Sequence, residues 1–464
     1  MFTFAAKYIK HFSCIMANVI KIKKGLDINL KGKASEKLLT AGKSDGYAIV
    51  PDDYNGIIPK VIAKVGDKVK AGSPLMMDKN RPEIKFVSPV SGEVTAVNRG
   101  EKRKVLNIVV KPDAQMEYED FGRKNVSSLK AQDIREAILA AGLWPSIKQR
   151  PYDIVAIPAY EPRDIFVSTF YSAPLAPNFE FVVKGQEADF QTGLDALAKL
   201  TSGKVYVGVK EGSVLKLKTV ETVEVEGPHP AGNVGVLINH VKPVNKGEVV
   251  WTIDPQDVIV IGRLFNKGVA DFTRLVAMTG SEAAETGYMK VIAGCSIHSL
   301  IAGKIQNMGK HVRIISGDVL TGTQVDDLDY LRAYSRQITL IPEGDDVHEF
   351  LGWGVPGFDK YSAGRTYFTW LLGGKKEYTL DARIKGGKRA MILSHEYDRV
   401  FPMDIMPEFL LKAIITFDID KMENLGIYEV APEDFALCEF VDTSKIEIQK
   451  IVRNGLNLLY KEMN

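Results

Sequence analysis

The sequence predicts a multidomain α+β chain, and three observations predict it. Its 464 residues, with 45% hydrophobic and 25% charged content, suffice for about three or four domains, each with its own core. The first hundred residues alternate short β-branched runs with glycine turns, whereas the middle of the chain alternates strand-like and helical runs. From Met406 onward the pattern is helical. These shifts divide the chain into units over 16–112, 125–255, 256–330 and 331–464.

The first unit is the most specific. Lys60 to Val65 alternates buried and exposed positions, and Gly66-Asp67 and Ala71-Gly72 supply turns with positive φ. Met77-Asp78-Lys79 and Ser88-Pro89-Val90-Ser91-Gly92 complete the outline of a lipoyl-like barrel-sandwich hybrid. Lys79 falls where a lipoyl or biotinyl domain presents its modified lysine. Asn80, Arg81 and Pro82 lengthen that tip and argue against recognition by a modifying enzyme, so the expected role of the barrel is structural.

Asp113 to Lys124 reads as polar linker. Ser127-Ser128-Leu129 then leads into a helix over Asp133 to Gly142, with a serine cap and a terminal glycine. Ile154 to Ile157 and Val205 to Val209 read as strands flanking a helix over Phe190 to Leu200, an α/β layer with a parallel core that continues to about Asp254. A compact β-grasp pattern opens near Val258 to Ile261, with a strand over Arg274 to Gly280, a turn to Thr286-Gly287-Tyr288 and a helix start at Cys295 to Ile301. Beyond Gln337 to Pro342, glycines and aromatics mark loops before the helical tail.

Composition narrows the function classes. Cys14, Cys295 and Cys438 are far apart, which suggests neither a disulfide framework nor a zinc site and fits a reducing cytoplasm. No run approaches the ~18 to 20 apolar residues of a membrane span, so membrane association is expected to be peripheral. Residues 1 to 15 read either as a tail ahead of a start at Met16 or as an amphipathic membrane-surface segment. The net charge of +2 hides an asymmetry: residues 1–112 carry 21 Lys+Arg against 10 Asp+Glu, and the remainder 39 against 48. A basic N-terminal surface beside an acidic body suggests docking to an acidic partner or anionic lipid. No nucleic-acid partner is expected, because the lysines lack interleaved stacking aromatics.

Several motifs fail on inspection. Gly352-Trp353-Gly354-Val355-Pro356-Gly357 matches a dinucleotide fingerprint literally but lacks the strand before it and the helix after it. Gly42-Lys43-Ser44 has Lys37 where the first glycine of a phosphate loop should stand, and His395-Glu396 has Arg399 in place of a second zinc histidine. His229, His240, His298, His311 and His348 are scattered singly. Asp326, Asp327 and Asp329 are expected to charge the start of a helix over Leu328 to Tyr334. No catalytic residue, cofactor-binding residue or metal ligand is therefore assigned.

The strings Val19 to Ile28, Ile84 to Gly92, Ile315 to Gly322 and Phe350-Leu351-Gly352-Trp353, in this order of units, resemble the A subunit of the Na+-translocating NADH:quinone reductases, a likeness that covers essentially everything after Met16. The resemblance implies a Rossmann-like α/β domain, a β-grasp domain of the SLBB type, and a helical domain that in related Rnf and complex I proteins carries iron–sulfur cysteines. Here the four ligand positions fall on Pro432, Phe435, Cys438 and Asp442, and Phe401-Pro402 replaces an earlier cysteine-proline. The glycine-rich flavin loop of those relatives is also missing between Ser127 and Asp254.

The implied chain is a peripheral, cofactor-free subunit on the cytoplasmic face of the bacterial inner membrane. NADH, flavins and an iron–sulfur cluster are expected on partner subunits, with ubiquinone as the substrate of the complex. An aromatic candidate for quinone contact is Trp353 with Phe358, Tyr361, Tyr367, Phe368 and Trp370, which core packing explains equally well. Two other readings stay open on the residues alone. One is a freestanding protein that binds a small ligand through the β-grasp domain; the other is a flavin-bearing NADH dehydrogenase, which the missing glycine loop disfavours.

Overall fold

The computed structural model describes residues 19–306, 309, 311–347, 352–355, 357, 359–372 and 376–463, with the side chain of Trp353 outside the description. Its largest sheet has seven strands in the order Val19–Lys21, Glu221–Glu226, Val205–Lys210, Ile165–Ser168, Val250–Ile253, Ile147–Arg150 and Ile154–Val155. The first five run parallel, and Ile147–Arg150 pairs antiparallel with its neighbours on both sides. Val205, Val207 and Val209 are buried, as are all of Val250–Ile253, the continuous apolar pattern of strands covered on both faces.

Two helices, Glu187–Ala198 and Pro255–Lys267, lie against each other and against this sheet. They approach through glycines: a Cβ on Gly262 would stand 1.7 Å from the Asp189 carbonyl oxygen, and one on Gly193 would stand 2.1 Å from that of Val258. Val258 to Ile261, expected to open the β-grasp unit, are thus interior to a helix of the α/β layer, and the β-grasp sheet starts at Thr273. The run was ambiguous because four consecutive apolar residues suit a buried strand or a buried helix equally. The expected serine cap is also replaced. Asn125 caps a short turn at Val126–Ser128, and the Asp133 carboxylate caps Ala131–Ala140 by accepting from the Lys130 amide at 2.9 Å.

The barrel-sandwich hybrid pairs a four-stranded antiparallel sheet with a three-stranded one, Pro59–Val61, Pro74–Asp78 and Lys85–Val87. Gly66 and Gly72 adopt φ of +95° and +103° at the expected turns. Its strands begin only at Tyr47. The preceding residues belong elsewhere: Val19–Lys21 edges the α/β sheet, and Leu38–Leu39 edges the β-grasp sheet beside Gly287–Ile292.

That third sheet has the order Thr323–Val325, Val312–Ser316, Gln337–Pro342, Thr273–Thr279, Gly287–Ile292 and Leu38–Leu39, with the helix Ile297–Ile301 beneath it. Gln337–Pro342, expected to lie outside the unit, is one of its inner strands. No helix forms over Leu328 to Tyr334. Asp327 instead meets His298 Nδ1 at 2.9 Å, and the Asp329 carboxylate accepts from the Asp326 amide at 2.8 Å. The tail is helical as expected, with Pro407–Ile415, Ile419–Asn424, Ala436–Val441 and Ile448–Met463 packing into one apolar core shared with Phe166, Val223, Val225 and Leu237 of the α/β layer. Among the described residues, no helix is long and apolar enough to cross a membrane.

The Gly262 contact leaves no room for a methyl group. Gly262→Ala is expected to cost on the order of 1–3 kcal/mol, read as a lower chemical-denaturation midpoint. An unchanged midpoint would mean that the two helices separate freely.

Candidate functional site at the switch point of the sheet

After Ile165–Ser168 the chain fills one side of the sheet, then crosses to place Val250–Ile253 on the other side. The crevice beyond the carboxyl ends of these two strands is where open α/β sheets bind ligands. A cavity of about 350 Å³ lies there, walled by all four units. Ser168, Tyr171 and Asp254 come from the α/β layer, Asp53 from the barrel, Arg336 from the entry to the β-grasp strand and Arg453 from the last helix.

Side chains of this chain already occupy the charged positions of the crevice. The helix Pro255–Lys267 begins with Asp254 as its cap, whose carboxylate accepts from the Gln256 amide at 2.8 Å, while Pro255 has no N–H to offer. The same carboxylate pairs with Arg336, and the Arg336 guanidinium stacks 4.2 Å from the centre of the Tyr171 ring. Burial, reinforced by Asp254, raises the Tyr171 hydroxyl well above its ordinary value. Arg332 pairs with Asp53, whose other oxygen accepts from the Ala333 amide at 2.8 Å. Arg453 pairs with Asp153, which also stands 3.9 Å from Lys148. Burial pushes the Asp153 carboxyl up, but Lys148, Arg453 and Arg150 together outweigh it and hold it below its usual range.

A nucleotide phosphate does not fit this arrangement. The four cations lining the cavity, Lys148, Arg332, Arg336 and Arg453, each have a carboxylate partner. The helix N-terminus that would receive the anion is capped by an aspartate. Asp318 and Glu433 add further negative charge to the wall. A Cβ on Gly232 would meet the Phe170 carbonyl oxygen at 2.0 Å, so the loops after two of the parallel strands touch at the cavity wall.

An iron–sulfur cluster does not fit the tail. Phe435 and Cys438 are buried in the helical core, and burial raises the Cys438 thiol well above its ordinary value. Asp442 accepts from the Tyr397 hydroxyl at 2.8 Å and the Ile446 amide at 2.9 Å, leaving a thiol, a proline, a phenyl ring and an engaged carboxylate at the four positions. Among the described residues, no group of three or more His, Cys, Asp and Glu is arranged to hold a metal.

The other sequence candidates resolve individually. Lys79 is exposed at the barrel tip, but its backbone N–H donates to Ile58 at 2.8 Å, and buried Asp78 beside it accepts from the Ile58 and Asn80 amides and from Arg81 Nε. Gly42 and Ser44 serve packing, the Gly42 amide reaching the Ser299 carbonyl at 2.8 Å and Ser44 Oγ accepting from the Ser296 amide at 2.9 Å. Gly352–Gly354 is an isolated 3-10 turn.

His240, His298 and His311 each meet a single local acceptor, and His348 lies outside the described residues. Of the aromatic candidates, Tyr361 packs on Tyr378 and Phe440, Tyr367 is buried, and Phe368 and Trp370 are exposed, so these four do not form one pocket. The Trp353 side chain and Phe358 lie outside the described residues. The switch-point residues were missed, although the step from Val250–Ile253 through Asp254 to Pro255 carries the signature of a strand entering a capped helix.

The matches to known proteins follow the same division of the chain. Residues 20–113 match the family description "NqrA N-terminal barrel-sandwich hybrid domain", residues 129–270 "NqrA second alpha/beta domain" and residues 275–327 "NQRA C-terminal domain". Proteins named as the A subunit of Na(+)-translocating NADH-quinone reductase from Yersinia pestis and Hahella chejuensis are each 35% identical over 450 residues, covering 96% of this chain and 100% of the relative. The chain belongs to the family of Na(+)-translocating NADH-quinone reductase A subunits. An A subunit from Neisseria meningitidis serogroup B aligns with the same 35% identity and the same coverage, 96% and 100%. A solved NAD+-reducing [NiFe]-hydrogenase in its H2-reduced state covers 75% of this chain and 66% of its own at 10% identity and a TM-score of 0.36, a likeness too loose to carry an argument.

Beside the cavity, His229 is held neutral, with burial lowering its pKa to about 4. Its Nδ1 lies 3.0 Å from Ser172 Oγ, and Nε2 has no hydrogen-bond partner among the described residues. The unfolded histidine binds its proton near 6.5, so between about 6.5 and 4 the unfolded chain holds more protons than the folded one. The associated stability is complete above 6.5 and declines by about 3 kcal/mol as the pH falls through that window. The stability advantage of wild type over His229→Gln is expected to shrink by that amount between pH 7 and 4 in denaturation curves; a constant difference would refute a neutral buried His229. Lys79→Ala is expected to leave NADH:quinone reductase activity and stability unchanged, and the intact mass of the wild-type chain should show no acylation. Lost activity together with an acyl adduct on Lys79 would reverse that reading.

Proposed function

We propose that this chain is the peripheral, cofactor-free A subunit of a Na+-translocating NADH:ubiquinone reductase. It is held by partner subunits at the cytoplasmic face of the bacterial inner membrane, where it supports electron transfer from NADH to quinone coupled to Na+ export. The observation that carries this reading is the relation to A-subunit proteins along their whole length, 96% of this chain against 100% of theirs. The geometry supports its cofactor-free part. The charged groups of the crevice that suits a nucleotide in related folds are engaged in ion pairs between the units, and of the cluster positions of the tail Phe435 and Cys438 are packed in the core and Asp442 is hydrogen-bonded.

In this reading NADH, flavins and the iron–sulfur cluster sit on partner subunits, and the chain contributes shape and rigidity to the assembly. With no redox site of its own, it acts on the rate only by positioning other subunits and shielding the quinone route from water. Membranes from cells lacking this chain are expected to lose Na+-stimulated NADH:quinone reductase activity and to regain it when the gene is restored. Unchanged activity without the chain would instead favour a freestanding ligand-binding protein.

A further inference from the structure

The three-stranded sheet of the barrel turns one face to the core and the other to solvent. Across its strands Val61, Met76 and Phe86 stand side by side and pack into the barrel, Met76 and Phe86 almost fully buried. The next row, Lys60, Met77 and Lys85, therefore stands on the opposite face, with neighbouring Cβ atoms about 5 Å apart. Along the first strand and just beyond it the same alternation turns Ile58, Lys60, Ile62 and Lys64 outward. Ile58 is 50% exposed and Ile62 42%, whereas Ala63 between Ile62 and Lys64 is buried. Lys60, Lys64 and Lys85 make no ion pair among the described residues. Asp67 and Glu83 lie near them in sequence without approaching an ammonium group, and the Asp67 carboxylate instead accepts from the Lys64 amide at 2.7 Å. Elsewhere on the barrel Lys68 meets Glu93 at 3.1 Å, Lys70 meets Glu117 at 3.8 Å and Lys104 meets Asp52 at 2.6 Å.

We propose that this outer face docks a carboxylate-rich surface of a partner subunit, an inference that rests on the reading of the chain as a subunit of the complex and assigns the place of contact. Charge selects the occupant. Three lysines without counter-charge surround Ile58, Ile62 and Met77, which gives an apolar centre with a cationic rim, the anatomy of a protein interface. Carboxylates set opposite supply the missing counter-charge, and a like-charged surface is rejected. The six residues include no tryptophan or tyrosine, the side chains that hold a chain at the headgroup level of a bilayer, which favours protein over lipid. The contact runs through side chains and not through strand addition. The Ile62 amide and the Ile58 carbonyl bond inward to Leu75 and Lys79, so Pro59 stands toward the free edge and offers no N–H there. Buried Asp78, behind Met77, accepts from the Ile58 amide at 3.0 Å and from Arg81 Nε at 2.7 Å, which fixes one end of the face and lowers the ordering lost on docking.

The test is rebinding of the purified full chain to membranes from cells that lack it but carry the remaining subunits, read by co-sedimentation. Wild type is expected to bind, and more weakly as salt is added. The double variant Lys60→Glu, Lys85→Glu is expected to bind about tenfold more weakly, with circular dichroism unchanged because both side chains lie on the outer face. The double variant Lys23→Glu, Lys24→Glu makes the same charge change at exposed residues ahead of the barrel and is expected to bind as wild type does. If the Lys60, Lys85 variant binds as well as wild type, the docking surface is overturned and the subunit reading stands; if wild type itself does not bind, both fall. Equal loss in the Lys23, Lys24 variant would trace the effect to net charge and overturn the inference. So would wild type that binds protein-free phosphatidylglycerol vesicles through Lys60 and Lys85, since the occupant would then be lipid.

Discussion

Arginine–carboxylate pairs hold the four units around one crevice. Arg336 at the entry to the β-grasp strand meets Asp254 of the α/β layer, and Arg274 on the facing β-grasp strand meets Asp257 one helical turn further on, at 2.7 Å. Arg332 reaches Asp53 of the barrel, and Arg453 of the last helix reaches Asp153 of the α/β layer. Arg150, at the end of a strand of the α/β sheet, meets Asp434 of the tail at 2.7 Å, both essentially without solvent exposure. The Arg150–Asp434 and Arg274–Asp257 pairs are buried on both sides; such pairs add little net stability over apolar packing, but loss of one partner strands a charge at a cost of about 3–5 kcal/mol. Their role here is to fix how the units meet. Several of these arginines also donate to a backbone carbonyl, Arg150 to Glu429, Arg274 to Ala333 and Arg453 to Tyr152, which ties each guanidinium to two places at once.

This constraint leaves the crevice at the switch point with every lining cation paired to a carboxylate of the chain. The helix N-terminus at Asp254 and the cations near it are the groups a phosphate would use, and each is already engaged within the chain. A ligand would have to break a joint between domains to gain the same contact. The N-terminal segment reinforces the assembly. Residues 19–21 edge the α/β sheet and residues 38–39 edge the β-grasp sheet before the barrel begins, so the chain ties two domains together and covers an open edge of each.

The sequence was most legible where a pattern is local. The barrel turns at Gly66 and Gly72, the strands Val205–Lys210 and Thr273–Thr279 and the helical tail all follow from short-range periodicity and turn chemistry. It was least legible where partners are far apart in sequence. Nothing near Val19 predicts a parallel partner at Glu224, and Gln337–Pro342 joins its sheet only through strands some sixty residues earlier and twenty residues earlier. The candidate site is the extreme case, since Asp53, Asp254, Arg336 and Arg453 are individually ordinary polar residues until four units converge on them. Family motifs identified the chain, but the pairing of the crevice cations with carboxylates from other units became visible only in the geometry.

If the switch-point crevice is a structural joint, the purified full chain has no seat for a nucleotide. Calorimetric titration of that chain with FMN and with NADH tests this most directly. No saturable binding of either ligand is predicted. Saturable binding that weakens in Arg336→Ala would contradict it, because the guanidinium would then be serving a nucleotide instead of Asp254.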